Sequence, residues 1–497
     1  MDYGKLSASI LGAIEQKPED IGAYEDLFSA CQAWAEADFQ RAHRVNKQLR
    51  DMCSHQMNRV PMSKMERFYE QWRRSLLFEA PYEFDSYVTY MELNRPPKRR
   101  FYQPRRKQLK PIVDALQALC GDDELDLLAV SLPPGVGKTT LAIFLLTWIA
   151  GRDPNSPNLT GSHSNSFVRG VYDECLRLFD AKGEYLWHNV FPGVQVTNTN
   201  AKDCRIDLDK RQRFETLEFT SIGTGNAGLY RAANLLYCDD LVSGIEVALS
   251  KERLDKLWET YTTDLRQRKI GDKCKELHIA TRWSVHDVIG RLEREYEGNP
   301  RAKFIRVPAM NEDDESNFDY EFGVGFSTKF YREQRDIMDS VSWKALYMNQ
   351  PIEREGLVYH AEELRRFFEL PEEDPDAIIG ICDTKDKGTD YAFLPVGYVY
   401  GQDYYIGDCI CDNGLPDTVD IRLADILVRD KVKMCRFESN SAGRRVAEKI
   451  QGEVKRMGGI TNITTKFTTA NKETKIIVNH AIFLEITSRK FLVRNLA

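Results

Sequence analysis

The stretch SLPPGVGKTT, residues 131–140, decides the fold class of this chain of 497 residues. It follows the apolar run LDLLAVS (125–131), which is typical of a buried strand, and it leads into a helical stretch over 138–150. A loop with glycines between a buried strand and a helix is the usual context of a phosphate-binding loop. The stretch therefore predicts an α/β domain with a phosphate site at the carboxyl end of a strand.

Within this loop, the residue types suit a nucleoside triphosphate. Gly135 and Gly137 allow backbone amides to approach phosphates, and Lys138 is expected to reach the β- and γ-phosphates. Thr139 is a predicted ligand of Mg²⁺, and the helix N-terminus adds favourable dipole charge. Leu132 stands where the usual pattern has its first glycine. The predicted ATP-binding residues are Pro134, Gly135, Val136, Gly137, Lys138, Thr139 and Thr140.

A pair of acids ends the run LLYCDD, residues 235–240. Nucleotide hydrolysis needs an acid at the end of a neighbouring strand, so we predict that Asp239 holds Mg²⁺ and that Asp240 orients the attacking water. Glu246 stays open as an alternative base, because aspartate is one methylene shorter than the glutamate that many motors use.

The residues around these motifs alternate between strand and helix patterns. NLLYCDD (234–240) and ELHIATRW (276–283) are typical of buried strands, and residues 250–268 are helical in pattern. This alternation indicates a mostly parallel sheet. Thr281 and Arg282 lie at the carboxyl end of one of these strands, where we expect them to sense the γ-phosphate.

Composition excludes several classes of protein. A hydrophobic content of 42% excludes wholesale disorder, and no apolar run approaches the ~20 residues that span a bilayer, so no membrane partner is expected. The first residues carry no export signal, and eleven cysteines without a CxxC pair fit a reducing cytosol. The net charge of −7 argues against a uniformly basic surface. The basic stretch, residues 95–110, holds eight Lys or Arg and no acid, which suits either a solvated linker or phosphate contacts.

The second half of the chain predicts another α/β domain. Its strand patterns are AIIGICD (377–383), YAFLPVGYVY (391–400), DYYIGDCI (403–410) and KMCRFE (433–438), followed by a helix over about 441–456. Close spacing of the early strands favours hairpins and a mixed sheet. The predicted domains are a helical N-terminal region (1–95), a first α/β domain (96–350), a linker (351–376) and a second α/β domain (377–497).

Four motifs in this order resemble a known family. They are SLPPGVGKTT, LLYCDD, IATRWSVHD (279–287) and YMNQPIEREG (347–356), and together they resemble the large terminase subunit of tailed bacteriophages over roughly residues 100–490. The resemblance implies a P-loop ATPase motor domain followed by an RNase H-like nuclease domain. The implied function is a packaging motor that hydrolyses ATP to move double-stranded DNA into a procapsid and that cuts the DNA.

The resemblance also implies roles and partners. Thr281 and Arg282 would couple hydrolysis to DNA movement, and Arg231 would enter the site of a neighbouring subunit to neutralise charge on the phosphoryl group. The implied partners are double-stranded DNA, the small terminase subunit and the capsid portal. Assembly as a homo-oligomeric ring is expected, with a monomer before assembly as the other state. The implied location is the cytoplasm of a bacterial host, transiently at the portal.

In the second domain, the resemblance assigns nuclease metal ligands to Asp383 and Glu438, each at a strand end. Cleavage of a phosphodiester benefits from two divalent cations, and hard oxygen ligands suit Mg²⁺ or Mn²⁺. Asp390 and Asp408 are possible supporting carboxylates. The family places a third acid roughly 80 residues after the glutamate, whereas this sequence ends at Ala497. Either the chain is truncated or the nuclease site is incomplete, and we expect weak metal binding and impaired cleavage.

Two alternatives stay open on these grounds. One is an ATP-driven DNA translocase with an inactive nuclease domain, and the other is a docking or scaffold protein in which nucleotide only switches conformation. The helical N-terminal region is expected either to dock a partner or to pack against the motor domain.

Overall fold

Three aspartates begin the first three helices. The side chains of Asp2, Asp20 and Asp38 each accept a backbone N–H from the first helical turn, at 3.1–3.2 Å, which satisfies donors that have no partner within the helix. The N-terminal helices are α1 (Tyr3–Gln16), α2 (Ile21–Ala35), α3 (Phe39–Met57), α4 (Met62–Glu79) and α5 (Phe84–Met91). The helical N-terminal pattern is thus confirmed.

The computed structural model describes residues 2–121, 125–223, 230–351, 365–384, 391–438, 443–467 and 491–494. Contacts divide the chain into two compact units, Met1–Glu353 and Arg354–Ala497. Across the described ranges, no helix is long and apolar enough to cross a bilayer.

The first unit contains an eight-stranded sheet. Its strands are β1 (Leu127–Ser131), β2 (Asn158–Ser162), β3 (Val196–Asn200), β4 (Arg205–Leu208), β5 (Leu217–Ser221), β6 (Leu235–Asp239), β7 (Lys275–Ala280) and β8 (Ala302–Arg306). They lie in the order β3-β4-β5-β2-β6-β7-β1-β8, and all neighbours are parallel except those of β4. The predicted mostly parallel sheet is confirmed. Its central strands are buried on both faces, as parallel strands flanked by helices are.

The first unit contains further helices, several of which contact this sheet. They are α6 (Tyr102–Leu119), α7 (Lys138–Arg152), α8 (Asn165–Phe179), α9 (Trp187–Val190), α10 (Ile245–Ala248), α11 (Lys251–Thr260), α12 (Val288–Glu295), α13 (Thr328–Ile337) and α14 (Ser340–Leu346). The N-terminal helices pack against α7: the Trp148 indole donates to the carbonyl of Ala80 at 2.9 Å, and the hydroxyls of Tyr87 and Thr147 lie 2.9 Å apart. Of the two roles expected for the N-terminal region, these contacts support packing against the first α/β domain.

The basic stretch is part of the folded unit rather than a linker, because it forms a short 3₁₀ turn and the start of α6. Several of its arginines have partners within the chain: Arg95 pairs with Glu92, and Arg106 forms two hydrogen bonds with Asp85. Arg100 donates to two backbone carbonyls at 2.9 Å. These contacts anchor α6, so nucleic-acid contact by this stretch stays a prediction.

The second unit contains a seven-stranded mixed sheet. Its strands are β9 (Arg365–Phe367), β10 (Ala377–Cys382), β11 (Ala392–Tyr400), β12 (Asp403–Asp412), β13 (Met434–Glu438), β14 (Asn462–Lys466) and β15 (Phe491–Arg494), and its helices are α15 (Pro416–Arg429) and α16 (Gly443–Arg456). The order is β14-β13-β10-β11-β12-β15-β9, in which β10, β11 and β12 are antiparallel neighbours and β10, β13 and β14 are parallel. The predicted mixed α/β sheet is confirmed.

Two details of the second unit differ from the sequence analysis. The helix α15 lies between β12 and β13, where no helix was predicted; its buried residues recur at helical spacing, among them Val419, Leu423 and Leu427. The strand β9 lies within the range predicted as linker, and residues 352–364 of that range are outside the described residues. The short β9 was missed because its three residues carry no alternating pattern.

Candidate nucleotide site and a second acidic pair

The predicted phosphate loop lies between the end of β1 and the start of α7. Gly135 and Gly137 have φ angles of 78° and 94°, in the left-handed region that favours glycine. A Cβ on Gly137 would overlap the ring of Phe101, and one on Gly135 would lie 2.8 Å from Phe326. The loop therefore needs glycine at both positions for conformation and for space. Leu132 is fully buried and extends the strand into the core, so the glycine missing from the pattern is not required for this turn.

Lys138, Asp240 and Thr281 meet at the carboxyl edge of the sheet. The Lys138 ammonium lies 3.0 Å from Oδ2 of Asp240 and donates a hydrogen bond to the Thr281 hydroxyl. The Thr281 backbone N–H donates to Oδ1 of Asp240 at 2.8 Å. The three residues are at least 41 positions apart in sequence. They meet because β6, β7 and β1 are adjacent in the sheet and end at the same edge. The charge of the buried Lys138 is balanced by Asp240. An anionic ligand in the site could replace Asp240 as the partner of this lysine.

Asp239 is fully buried at the end of β6. The Tyr237 hydroxyl donates to its Oδ2, whereas Oδ1 has no hydrogen-bond partner among the described residues. Burial, and next the charge of Asp240, hold the pKa of Asp239 above its usual range, while Tyr237, Thr139 and Lys138 act in the opposite direction. A buried carboxylate oxygen without a partner, close to the Thr139 hydroxyl, fits a hard divalent cation, so these residues suit Mg²⁺.

Asp240 has a strained backbone. Its φ is 39°, a left-handed conformation that costs roughly 1–2 kcal/mol for a residue with a side chain. Its backbone N–H donates to the Ile279 carbonyl at 3.1 Å, and its own carbonyl faces Nδ1 of His163 at 2.8 Å. Strain of this kind persists where the surroundings determine the geometry, and it concentrates at functional sites.

Lys138, Asp240 and Thr281 line a cleft of about 490 Å³. Besides residues of the predicted loop, Asp240 and Thr281, its walls include His163, Val242, Ser243, Trp283 and Leu346, none of which the sequence analysis singled out as site residues. His163 directly follows β2, and a polar residue after a parallel strand is the signal that could have identified it. The volume suits a nucleotide, since ligand clefts span about 300–1,000 Å³.

Thr281 and Arg282, the predicted coupling pair, lie in different environments. Thr281 is in the site, whereas the Arg282 side chain is 2% exposed and pairs with Asp287 at 3.0 Å and with Glu293 at 3.1 Å. Asp287 also accepts the backbone N–H groups of Trp283 and Ser284, and it begins α12. The TRW…D motif is thus a closed turn that holds Thr281 in place. A coupling role for Arg282 stays a prediction.

The other candidates of the first unit, Arg231 and Glu246, are not among the residues that line this cleft. Arg231 precedes β6, so it is at the opposite end of that strand from Asp240; its backbone N–H donates to Glu218 and its guanidinium to the Tyr230 carbonyl, both at 3.1 Å. Its entry into a neighbouring subunit stays a prediction. Glu246, the alternative base, is on α10, where it forms an ion pair with Arg253 at 3.9 Å. Its side chain is half exposed, which suits a catalytic base less well than the position of Asp240.

In the second unit, Asp383 directly follows β10 and Glu438 is the last residue of the neighbouring parallel strand β13. Cys382 on β10 pairs with Phe437 on β13, so the next residues, Asp383 and Glu438, are side by side at the carboxyl edge. Asp408 is instead on β12, where it forms an ion pair with Arg429. Asp390 lies outside the described residues, as does the segment 468–490. Within the part of the chain that the structure describes, no three acids, histidines or cysteines are grouped as metal ligands.

Among solved structures, one similar to this chain is the large terminase from a thermophilic bacteriophage, with 13% identity and a TM-score of 0.39 over 76% of this chain and 86% of that one. The chain resembles bacteriophage large terminases. The large terminase of the same thermophilic phage in complex with ATP-gamma-S matches with 12% identity and a TM-score of 0.39, over 81% of this chain and 88% of that one.

The HK97 bacteriophage large terminase matches at 12% identity with a TM-score of 0.32, over 77% of this chain and 84% of that one. No protein-family model matches the chain, and no curated protein matches it. Because the terminase TM-scores are below 0.5, we base the proposals below on the geometry of this chain.

Proposed function

We propose that this chain is an ATP-hydrolysing motor subunit that packages double-stranded DNA into a viral procapsid. The observation that carries the proposal is the convergence of Lys138, Asp240 and Thr281 beside a glycine loop at the start of α7. A buried lysine neutralised by an aspartate at this edge is a ready exchange site for a polyphosphate, since the helix N-terminus also favours anions.

The residues of the site divide the work of hydrolysis. Lys138 leaves Asp240 and binds the β- and γ-phosphate oxygens, which frees Oδ2 of Asp240 to orient a water for attack. Thr281 keeps its N–H on Oδ1 and so fixes the carboxylate plane. Thr139 and Asp239 would hold Mg²⁺, which supplies positive charge to the phosphates.

The test is ATP turnover by the purified full chain, with and without double-stranded DNA. We expect turnover that DNA stimulates in the unaltered chain, and a loss of at least about 10³-fold in Lys138→Ala. Lys329→Ala is the matched control, because the Lys329 side chain is 85% exposed and pairs only loosely with Glu333. Turnover without DNA stimulation would contradict the motor and favour the scaffold alternative, and turnover that survives Lys138→Ala would contradict the site.

We propose a nuclease role for the second unit, an RNase H-like domain in which Asp383 and Glu438 bind Mg²⁺ or Mn²⁺ for DNA cleavage. The support is the register of β10 and β13, which sets both acids at one edge of the sheet. Adjacent carboxylates at the ends of rigid strands are hard oxygen donors, which suit a divalent cation.

Nicking of supercoiled plasmid in Mn²⁺ tests the nuclease. We expect weak activity in the unaltered chain, its loss in Asp383→Ala, and its retention in Asp408→Ala, whose carboxylate is on β12 in an ion pair with Arg429. An unaltered chain that packages DNA or hydrolyses ATP but never nicks would favour the alternative of a translocase with an inactive nuclease domain.

The proposal extends to assembly. Translocation requires a ring of subunits at the capsid portal, loaded with DNA by the small terminase subunit in the host cytoplasm, with Arg231 completing the site of the adjacent subunit. ATP turnover that rises more than linearly with protein concentration, and that Arg231→Ala abolishes, would support the ring. Turnover proportional to concentration with full activity in Arg231→Ala would contradict it.

A further inference from the structure

A side chain from the end of another strand contacts the strained backbone of Asp240. His163 follows β2, which pairs with β6 so that Ser162 is opposite Asp239. The next residues along the two strands, His163 and Asp240, are therefore neighbours at the carboxyl edge. Nδ1 of His163 lies 2.8 Å from the Asp240 backbone oxygen, and its ring rests against Phe167 with ring centroids 5.6 Å apart.

The acceptor, the backbone carbonyl of Asp240, determines which ring nitrogen of His163 carries the hydrogen. A carbonyl oxygen only accepts, so Nδ1 of His163 carries the hydrogen and donates it to Asp240. The Ser162 hydroxyl is also near Nδ1, at 3.4 Å, which leaves the shorter bond to Asp240 as the main contact. His163 lines the same cleft as Lys138 and Thr281.

Under the proposed function, nucleotide binding removes one of the contacts that hold Asp240. In the structure, Asp240 is held by Lys138, Thr281, Ile279 and His163. Under the proposed function, on which this inference rests, Lys138 moves to the phosphates. The backbone groups of Ile279 and Thr281 then remain, together with His163, whose bond to the Asp240 carbonyl comes from a side chain.

We propose that His163 is a positioning residue for ATP hydrolysis: its Nδ1–H holds the carbonyl of Asp240, and with it the left-handed backbone that aims the Asp240 carboxylate at the attacking water. The effect is on the hydrolytic step rather than on nucleotide binding, because, among the described residues, the contacts of His163 are with Asp240, Ser162 and Phe167 and not with the phosphate loop. A small displacement of a catalytic group costs far more in rate than in affinity.

Two substitutions separate this role from a general loss of structure. The amide of asparagine places an N–H close to the position of Nδ1, whereas glutamine places its amide close to Nε2. In steady-state ATP hydrolysis by the full chain, we expect His163→Asn to keep kcat close to the unaltered value. His163→Gln and His163→Ala are expected to lose about 100-fold in kcat. KM, and the affinity for a fluorescent ATP analogue, should stay nearly unchanged in all three variants.

The outcomes are distinguishable. Equal losses in His163→Asn and His163→Ala, or full kcat in His163→Ala, would overturn the positioning role while leaving the ATPase proposal intact. Loss of analogue binding in all three variants would also overturn it, since a folding or binding defect would then explain the kinetics. Absence of turnover in the unaltered chain, or turnover insensitive to Lys138→Ala, would instead overturn the proposed function and this inference with it. Thermal unfolding of each variant checks the fold.

Discussion

Both units place acids at the carboxyl ends of parallel strands, on the single strand β6 in the first unit and on the neighbouring strands β10 and β13 in the second, and the surroundings of these acids differ. At the first edge, Asp240 is already paired with Lys138, and the turn closed by Asp287 fixes its surroundings. At the second edge, Asp383 and Glu438 adjoin by register and are half-buried. The difference teaches that one topology can serve two purposes: an edge whose aspartate holds a lysine can release that lysine to an anion, whereas an edge with two adjacent carboxylates offers oxygen ligands to a metal.

The largest effect is expected on the rate of ATP hydrolysis when the charge of Asp240 at the first edge is removed. We expect Asp240→Asn to lower kcat for ATP by about 10³-fold, because the side chain keeps its shape but cannot orient and deprotonate water, while affinity for an ATP analogue is kept. The matched control is Glu246→Gln, the half-exposed alternative base, which should hydrolyse ATP normally. The reverse result would move the catalytic base to Glu246.

The second largest effect is expected on the stability of the turn that Asp287 closes at the first edge. Asp287→Ala removes the carboxylate that pairs with the buried Arg282 and accepts three backbone N–H groups. Loss of one partner of a buried pair costs about 3 kcal/mol or more, so the midpoint of urea unfolding followed by tryptophan fluorescence should fall clearly. Glu333→Ala, at a surface pair, should leave the midpoint in place. An unchanged midpoint in Asp287→Ala would show that the turn is not structural.

Preorganisation of the phosphate loop can be tested with two glycines of similar conformation. Gly137 and Gly298 have φ angles of 94° and 74°, but only a Cβ on Gly137 would meet Phe101, whereas the space at Gly298 is open. We expect Gly137→Ala to weaken binding of an ATP analogue by about 30-fold, or about 2 kcal/mol, and Gly298→Ala to leave it unchanged. Equal affinities would mean that the loop rearranges on binding.

The second edge should give the smallest effect, a stabilisation by metal. Mn²⁺ at about ten times its dissociation constant should stabilise the second unit by about 1.4 kcal/mol, seen as a higher temperature of its thermal unfolding. Asp383→Asn should abolish the shift and Asp408→Asn should preserve it. A shift that persists in Asp383→Asn would place the cation elsewhere and break the comparison between the two edges.

Sequence reasoning found the parts of the first site that lie within a few consecutive residues. The strand, glycine loop and helix around Lys138 form one local unit, and the acids of LLYCDD end an evident strand. It missed His163, because that residue matters only through the pairing of β2 with β6. It also predicted that Arg282 senses the γ-phosphate; the structure holds this arginine in ion pairs with Asp287 and Glu293, and the predicted role is untested. Helix α15 was missed between two better-patterned strands.

The sequence by itself determined the local chemistry: where a backbone can cradle phosphate, which strands end in acids, and where helices begin, since each depends on residues that are neighbours in the chain. Only the tertiary structure decided which of those ends meet. Lys138 and Thr281 are 143 residues apart and touch because β1 and β7 pair in parallel. Long-range pairing depends on how whole strands bury their faces together, a property that no single stretch contains.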